Sequence, residues 1–320
     1  MSVANIADPL PSVTIIIPAR PEQVVVPALE ASGTFDYPLD RLEIILARGV
    51  QPSVQRNAAL RAASGELIYF LDDDSRPTAD NLKRAVRHFA DPQVQMVGGP
   101  NLCPPEAPIL EQAFALTMGS GLAFGPSRAR YVSVGKVRSS GEKQLILCNL
   151  MARRDALLEL GGFDEALYPN EENALMDALQ SKGGRLVYDP EFVVYRRPRK
   201  SLCSFIKMLF NYGRGRAEQF RRHPTAGSLL NFAPPLFCLF LFLLPFLPAW
   251  TRWSLAAYGA ALFVQALALR KGLLGLATMP LVFLTHLFYG IGFGRGLLLP
   301  LKSTLQGPVP AVKLERLKPI

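Results

Sequence analysis

The segment that most constrains the fold is a short apolar run that leads directly into three carboxylates. Residues Leu67–Leu71 are all apolar or aromatic, and Asp72, Asp73 and Asp74 follow them. A short continuous apolar run of this kind is typical of a strand that is buried on both faces of a parallel sheet. Ligands of open α/β sheets bind at the carboxyl ends of the strands. We therefore expect the three acids at a ligand site.

The three aspartates also indicate what that ligand is. Adjacent carboxylates repel one another unless a cation or hydrogen-bond donors compensate their charge. Because side chains alternate along a strand, Asp72 and Asp74 should point the same way and Asp73 the other way. Such a pair suits Mg²⁺, which also takes water and substrate phosphates as ligands, or Mn²⁺. Alternatively, the acids and Ser75 open a solvated turn and cap a helix beginning near Thr78.

The first 200 residues alternate between β-rich and helical segments. The pattern predicts an α/β domain with a largely parallel sheet. Residues 100–145 lack the pattern, and their glycines and the basic residues of 128–130 indicate a mobile loop of the kind that closes over a ligand. The predicted strands are Val13–Ile17, Leu42–Leu46, Leu67–Leu71 and Val94–Val97, and the predicted helices are Val54–Ala63 and Ala79–Phe89.

The carboxyl-terminal part contains three long segments without charged residues. They cover residues 223–251, 253–269 and 272–294. The first and third are long enough to cross a bilayer, and the middle one is at the lower limit. Buried helices of a soluble bundle are the alternative, but they would carry charged outer faces that these segments lack. Membrane helices are therefore the simpler prediction.

A strongly basic stretch precedes these segments. The chain carries a net charge of +9, and residues 195–225 contain nine Lys or Arg residues and a single Glu. Such clusters contact nucleic acid or anionic membranes, and no nucleic-acid recognition motif is present. Residues 201–216 therefore predict an amphipathic helix in the membrane interface, with its basic residues at cytoplasmic headgroups. Its apolar face comprises Leu202, Phe205, Ile206, Leu209 and Phe210.

Both ends of the chain bear on topology. The apolar run Val13–Ile17 has only five residues and ends at Pro18, which is too short for a signal peptide, so we expect the amino-terminal domain to stay in the cytoplasm. Three full crossings would then place the basic tail outside, against the positive-inside tendency. One segment, such as that with Pro234 and Pro235, is therefore a candidate for a re-entrant or interfacial segment. The basic residues of the tail are Lys302, Lys313, Arg316 and Lys318.

A second acidic cluster, Glu171 and Glu172, precedes a helical run that extends through Gln180. Acids are favourable at the positive end of a helix dipole, so stabilising the helix start is one interpretation. The other is a general base, because a carboxylate beside a substrate hydroxyl can accept its proton as the oxygen attacks. A bound cation lowers the basicity of its carboxylate ligands, so this role would fall to the second cluster.

Five motifs follow one another in a characteristic order. They are Ile15–Ala19, Gln55–Ala59, Phe70–Asp74, Gly161–Glu165 and Glu171–Leu175. With a basic stretch before membrane segments, this order resembles family 2 glycosyltransferases. More narrowly, it resembles bacterial membrane-associated members that extend lipid-linked exopolysaccharide or O-antigen units, such as succinoglycan glycosyltransferases. The resemblance implies a GT-A nucleotide-diphospho-sugar transferase fold, which is α/β with a Rossmann-like mixed sheet, and an inverting, metal-dependent reaction with Mg²⁺ or Mn²⁺.

Carried over by position, the resemblance implies a role for each site residue. Asp72 and Asp74 form the Asp-x-Asp motif, with Asp74 in direct contact with the metal and Asp72 at its water shell or the nucleotide ribose. Glu172 takes the place of the acidic base. Arg214 and Arg216 either bind the phosphates of donor or acceptor or face lipid headgroups. The expected donor-binding residues are Pro18, Arg20, Glu22, Arg56, Asp72 and Asp73.

Two turns depart from the family pattern. The second strand ends in Leu46–Val50, which reads Leu-Ala-Arg-Gly-Val where an Asp-Asp-Gly-Ser-like turn is usual, so the acid that contacts the nucleotide base is absent. The first loop reads Ala-Arg-Pro-Glu where Ala-Tyr-Asn-Glu is commoner. We expect Arg20 and Arg48 to approach the donor phosphates or base instead.

These observations predict a transferase of the inner membrane with a cytoplasmic catalytic domain. It would move a sugar from a nucleotide-diphospho-sugar to a lipid-linked saccharide during synthesis of a cell-surface polysaccharide. Alternatives are transfer to polyprenyl phosphate and a non-catalytic membrane scaffold that keeps the fold. The predicted division is a catalytic domain (1–200), an interfacial segment (201–224), membrane helices (225–299) and a basic tail (300–320).

Overall fold

The computed structural model describes residues 10–167, 170–222, 224, 226–301 and 311–317. The strands are β1 (Val13–Ala19), β2 (Leu42–Arg48), β3 (Leu67–Leu71), β4 (Arg76–Pro77), β5 (Val94–Gly98), β6 (Asn101–Leu102), β7 (Arg138–Ser140), β8 (Asn149–Arg153), β9 (Arg185–Tyr188), β10 (Val194–Tyr195) and β11 (Lys313–Leu317). The helices are α1 (Pro27–Ser32), α2 (Pro52–Ala62), α3 (Asn81–His88), α4 (Ile109–Met118), α5 (Gly121–Phe124), α6 (Arg154–Glu159), α7 (Glu171–Ser181), α8 (Leu202–Arg222), α9 (Ala233–Leu243), α10 (Trp253–Ala268) and α11 (Leu273–Leu298).

Eight strands of the described residues form a mixed sheet in the order β11-β2-β1-β3-β8-β5-β9-β7, and the other three form a small second sheet in the order β4-β10-β6. The predicted parallel arrangement holds for β2-β1-β3 and for β5-β9, whereas β8 and β11 run antiparallel to their neighbours. β3 lies inside the sheet, between β1 and β8, and all five of its residues are buried. This position explains its uniformly apolar sequence and places the residue after Leu71 at the carboxyl edge of the sheet.

The prediction of a mobile loop at residues 100–145 is wrong for its middle part. A ten-residue helix, α4, occupies Ile109–Met118. Its Phe114 is fully buried and stacks on Phe205 of α8 with ring centroids 4.3 Å apart. The segment is thus helical and packed against α8, although its flanking prolines and glycines indicate a loop.

α8 is the helix predicted between residues 201 and 216, but it is longer and its surroundings differ from those expected. Phe205 and Leu209 of its apolar face are fully buried, in a cluster that includes Phe114 of α4 and Leu281 of α11. The centre of that face therefore packs against protein rather than lipid, whereas Leu202 at its start is exposed. The pattern of apolar and basic residues predicts an amphipathic helix, but it does not indicate whether protein or lipid covers the apolar face.

Two helical stretches among the described residues are long and apolar enough to cross a membrane. They are Ser228–Phe246, which includes α9, and Leu273–Leu298, which is α11. The most apolar part of the first stretch contains no buried residue. In the most apolar part of the second stretch, a third of the residues are buried. The middle predicted span is α10, which has 16 residues.

β11 lies in the predicted basic tail. It pairs antiparallel with β2, opposing Lys313 to Arg48 and Leu317 to Ile44, and so forms the outer strand of the sheet. Two of the four basic residues named for the tail, Lys313 and Arg316, belong to this strand, whereas Lys302 and Lys318 lie outside the described residues.

Candidate functional site

The three aspartates lie where β3 ends, and their side chains diverge as the alternation predicts. Arg196 contacts both outer ones, with its Nη1 3.0 Å from Asp72 Oδ2 and its Nε 2.5 Å from Asp74 Oδ1. Asp73 points away from them and accepts a hydrogen bond of 2.7 Å from Gln23 Nε2. One face of the strand end thus carries a carboxylate pair, and the other contacts the loop after β1.

The electrostatics of the pair are unequal. Although burial raises the pKa of Asp72, the guanidinium groups of Arg196 and Arg56 outweigh it and hold that pKa below its usual range. For Asp74 burial prevails, and the charges of Asp72 and Asp73 add to it, so its pKa is raised despite Arg196. Negative charge at Asp74 is therefore only partly compensated by the protein.

The residues present fit a divalent cation. Asp72 and Asp74 provide the carboxylate oxygens that Mg²⁺ and Mn²⁺ prefer, and their shared contact with Arg196 shows that both accept the same positive group. The described residues contain no group of three or more His, Cys, Asp and Glu side chains that could hold a metal ion. A donor diphosphate and water would have to complete the coordination.

Three of the predicted donor-binding residues line one cleft beside the aspartates. Arg20, Glu22 and Asp73, with Pro21 and Gln23, surround an open volume of about 670 Å³. Pro18 does not belong to it, because it is buried within β1 opposite Ala47 of β2. Pro18 thus helps to form the sheet and lies outside the residues that line the cleft.

Arg56 also occupies a different place from the one expected. Its side chain is 6% exposed and does not line the cleft. Its Nη2 donates to Asp72 Oδ1 at 2.7 Å, and its Nη1 donates to Glu171 Oε1 at 3.3 Å. Arg56 therefore joins the two acidic clusters and positions Asp72 rather than lining the donor cleft.

The second acidic cluster opens α7, and its two members face different surroundings. Asn170, with a φ of 100°, turns the chain immediately before the helix. Glu171 is buried against Arg56; burial and the neighbouring charge of Glu172 raise its pKa to about 7, although Arg56 opposes them. Glu172 instead lines a cavity of about 520 Å³. Of the two, Glu172 is therefore the carboxylate that a second substrate can reach.

The cavity lies between the α/β domain and the apolar helices. Arg130, whose Nη1 is 3.9 Å from Glu172 Oε1, and Lys143 contribute positive charge to its wall. The carboxyl-terminal helical segments also line it, with residues that include Phe237, Tyr258, Thr285, His286 and Tyr289. Glu172 and the apolar helices thus border the same space.

Comparison with known proteins decides the family. A family model described as glycosyl transferase family group 2 matches residues 67–294, which is more than two thirds of the chain and includes the aspartates, Glu172 and the basic stretch. The chain belongs to this family. The resemblance predicted from the order of the motifs is therefore confirmed.

Two relatives of this glycosyltransferase match parts of its sequence. A segment of 175 residues, 54% of this chain, is 30% identical to the pre-mycofactocin glycosyltransferase of Mycobacterium tuberculosis and covers 36% of that protein. A segment of 125 residues, 39% of this chain, is 32% identical to the succinoglycan biosynthesis protein ExoA of Rhizobium meliloti and again covers 36% of it. The matches thus span about a third of the length of these curated relatives.

A solved structure shares the fold. The mannosyltransferase PcManGT from Pyrobaculum calidifontis, determined in complex with GDP-Man and Mn²⁺, aligns over 90% of this chain and 87% of its own, with a TM-score of 0.59. Sequence identity is 20%, so the likeness concerns the fold alone. It supports the α/β architecture with a large mixed sheet that the family resemblance implies.

Arg214 and Arg216, in the second half of α8, differ in their access to the cavity that Glu172 lines. Arg216 lines it and binds Glu142 with 2.8 Å between Nη1 and Oε2. Arg214 pairs with Glu218 one turn along the same helix, at 3.4 Å, and does not line the cavity. The structure thus brings Arg216, but not Arg214, to the side of Glu172.

Three site residues escape the sequence analysis. Arg196 bridges Asp72 and Asp74, but the sequence marks it only as one member of the basic stretch. It lies 122 residues beyond Asp74 in the chain. Arg130 and Glu142 come from the segment predicted to be a loop. The sequence marks these residues only as charges near motifs, because the packing of distant segments determines their partners.

Proposed function

We propose that this glycosyltransferase moves a sugar from a nucleotide-diphospho-sugar to a saccharide carried on a membrane lipid, inverting the anomeric centre. The observation that carries the proposal is the cavity that Glu172 shares with the apolar helices. A water-soluble acceptor would not need a binding site walled by such helices. A lipid-linked acceptor would reach Glu172 from the membrane side.

On the donor side, the cleft lined by Arg20, Glu22 and Asp73 takes the nucleotide. Asp74 and Asp72 would hold the divalent cation, which, when bound, stabilises negative charge on the departing diphosphate. Arg56, which binds both Asp72 and Glu171, keeps Asp72 in place. The predicted requirement for Mg²⁺ or Mn²⁺ follows from these carboxylates and remains a proposal for this chain.

On the acceptor side, Glu172 accepts the proton of the attacking hydroxyl. A correctly placed general base contributes roughly 10²–10⁴-fold to the rate. Attack from the cavity, opposite the departing diphosphate, inverts the configuration of the sugar in a single displacement. Arg130 and Asn173 contact Glu172 and orient its carboxylate.

The proposal includes attachment to the inner membrane. The helical segments beyond α8 expose large apolar side chains to the surroundings, and Trp250 and Trp253 are 72% and 76% exposed where α10 begins. Tryptophans at such helix ends are typical of membrane–water interfaces. The division into a cytoplasmic catalytic domain, an interfacial segment and membrane helices stays a proposal.

The position of β11 bears on the number of crossings. This strand follows all the apolar helices in sequence, yet it pairs with β2 of the α/β domain. A chain that leaves the catalytic domain and returns to it crosses the bilayer an even number of times. We therefore propose two crossings or re-entrant insertion, which also keeps Lys313 and Arg316 on the cytoplasmic side.

Transfer to polyprenyl phosphate is a second candidate, and the basic side chains of the cavity favour it. Arg130, Lys143 and Arg216 line the space that the acceptor would enter. A phosphate oxygen is already anionic near neutral pH and has little need of a general base. Replacement of Glu172 would then have only a small effect on turnover.

Donor binding provides the first test. Calorimetry with Mg²⁺ or Mn²⁺ across a panel of nucleotide-diphospho-sugars should find one that binds the wild type only with metal. Asp74→Asn should weaken that binding at least tenfold, because it removes a charged ligand of the cation. Glu172→Gln should leave it unchanged and serves as the matched control. If no donor binds with or without metal, the scaffold alternative explains the protein better.

A further inference from the structure

The departure from the family pattern at the end of β2 has a structural partner at the far end of the described chain. Arg48 stands in the altered turn, and its Nε lies 3.1 Å from both carboxylate oxygens of Glu315 in β11. The two side chains are 18% and 26% exposed. The sequence predicts that Arg48 approaches the donor phosphates or base. In the structure its guanidinium instead binds Glu315 in the outer strand of the sheet.

The same guanidinium also supports the loop of the donor cleft. Its Nη1 donates to the carbonyl oxygen of Gln23 at 2.8 Å and to that of Arg20 at 3.3 Å. Residues 20–23, the donor loop, provide most of the side chains that line the cleft. One side chain thus connects β11 to both ends of the donor loop.

The connection continues to the aspartates. Gln23 Nε2 donates to Asp73 Oδ2 at 2.7 Å and to the carbonyl oxygen of Val25 at 3.1 Å, while its Oε1 accepts from the backbone N–H of Arg20 at 3.3 Å. A continuous polar network therefore leads from Glu315 through Arg48 and Gln23 to Asp73. Pro21 and Glu22 lie in the loop that it encloses.

We propose that Glu315 is a positioning residue, through which β11 holds Arg48 and thereby maintains the donor loop in its binding conformation. The affinity for the nucleotide-sugar then depends on a strand from the opposite end of the chain. The assignment of the cleft to the donor rests on the proposed function, whereas the connection of β11 to the loop does not. By linkage, a bound donor should in turn strengthen the docking of β11.

Hydrogen exchange of the donor-free protein tests the connection without any assumption about activity. In Glu315→Gln, backbone amides of residues 19–26 should exchange faster than in the wild type, because Arg48 loses the partner that orients it. Arg316→Gln is the matched control. Arg316 is the next residue of the same strand and forms an ion pair with Glu43 rather than with Arg48 or the donor loop. Loss of that pair should leave exchange in residues 19–26 unchanged.

A donor titration tests the consequence. Glu315→Gln loses this partly buried ion pair, and its donor Kd should rise roughly threefold to tenfold. Arg316→Gln keeps the pair, and its donor Kd should hardly change. The double variant Arg48→Glu with Glu315→Arg restores the ion pair in reverse, but the carboxylate that it places in β2 cannot donate to the loop carbonyls. Donor binding should therefore stay weak in the double variant, while β11 remains protected from exchange.

The proposal is overturned if exchange in 19–26 is the same in Glu315→Gln and the wild type. It is also overturned if both single variants accelerate it equally, since docking of the strand alone would then matter. If the two variants differ in exchange but no nucleotide-sugar binds the wild type, the proposed function fails while the connection from β11 to the loop stands.

Discussion

Glu171 and Glu172 are adjacent in sequence, yet the fold gives them different tasks. Glu171 is buried beside Arg56 and fixes the start of α7, whereas Glu172 faces the cavity. Their positions separate the two residues that the sequence presents as one cluster, and only Glu172 borders the cavity in which a general base is proposed. A helix-stabilising acid and a candidate base can be neighbours because successive side chains on a helix point in different directions.

The burial of Glu171 predicts a pH dependence of stability. Its pKa is raised from 4.5 to about 7, mainly by burial and by the charge of Glu172. Between these values the folded protein keeps a proton that the unfolded chain has released, so the free energy of unfolding falls as the pH rises through this window. The fall is at most about 1.4 kcal/mol per pH unit, the limit for one proton.

Denaturant unfolding of Glu171→Gln in detergent should therefore show a flatter pH profile than the wild type between about pH 5 and 7. Glu191→Gln is the control, because Glu191 has an exposed side chain that pairs with Arg84 at the surface. It should keep the wild-type slope. Parallel profiles for Glu171→Gln and the wild type would show that Glu171 is ionised throughout the window.

How far the site is predictable from sequence depends on the range of the interactions. Asp72, Asp74 and Glu172 belong to short local motifs, and the structure places them at the expected edge of the sheet and at the start of a helix. Arg196 and Arg130 join the same carboxylates from distant segments. Their partners depend on the tertiary fold, which a local pattern does not encode.

At the level of elements, α8 and α11 pack unusually closely because glycines line their contact. A methyl group added at Gly213 would overlap the carbonyl oxygen of Tyr289, and one at Gly292 would overlap that of Phe210. Glycine thus allows the two backbones to touch. This contact connects the basic stretch, with the cavity residue Arg216, to a helix that is apolar enough to span a membrane.

Gly292→Ala should therefore destabilise the protein by about 1–3 kcal/mol, the usual cost of an extra methyl group in a tightly packed interior. Gly294→Ala is the control on the same helix, since nothing lies within 4 Å of the methyl group that it would add. Thermal unfolding in detergent should show a lower Tm for the first variant and little change for the second. Equal Tm values would mean that the helices are not in contact.

The elements differ in how well the local sequence predicts them. β3 is predicted with its exact bounds because all its residues are apolar or aromatic and charges follow at once, whereas β1, β2 and β5 begin where predicted and extend one or two residues further. α4 is missed because nearby prolines and glycines indicate a loop, although its own residues, rich in Ala, Leu, Glu, Gln and Met, favour a helix. Two-residue strands such as β10 carry no sequence signal, although β10 leads directly to Arg196.

At the scale of the whole molecule, β11 joins the end of the described chain to the α/β domain. Its pairing with β2 requires both to lie on the same side of any membrane that the apolar helices cross. In membrane vesicles, an epitope added after Ile320 should therefore be digested by external protease only when the vesicles are inside-out, together with the catalytic domain. Digestion of the epitope in right-side-out vesicles, with the catalytic domain intact, would contradict the pairing.

We propose that Glu172 activates the hydroxyl of a lipid-linked acceptor in the cavity that it shares with the apolar helices. Transfer of labelled sugar from the identified donor to a membrane lipid extract tests it most directly. The wild type should place label in the organic phase, and Glu172→Gln should reduce the rate at least roughly 10²-fold at an unchanged donor Kd. Equal rates in the two proteins would rule out Glu172 as the base, and label only in water-soluble products would rule out a lipid-linked acceptor.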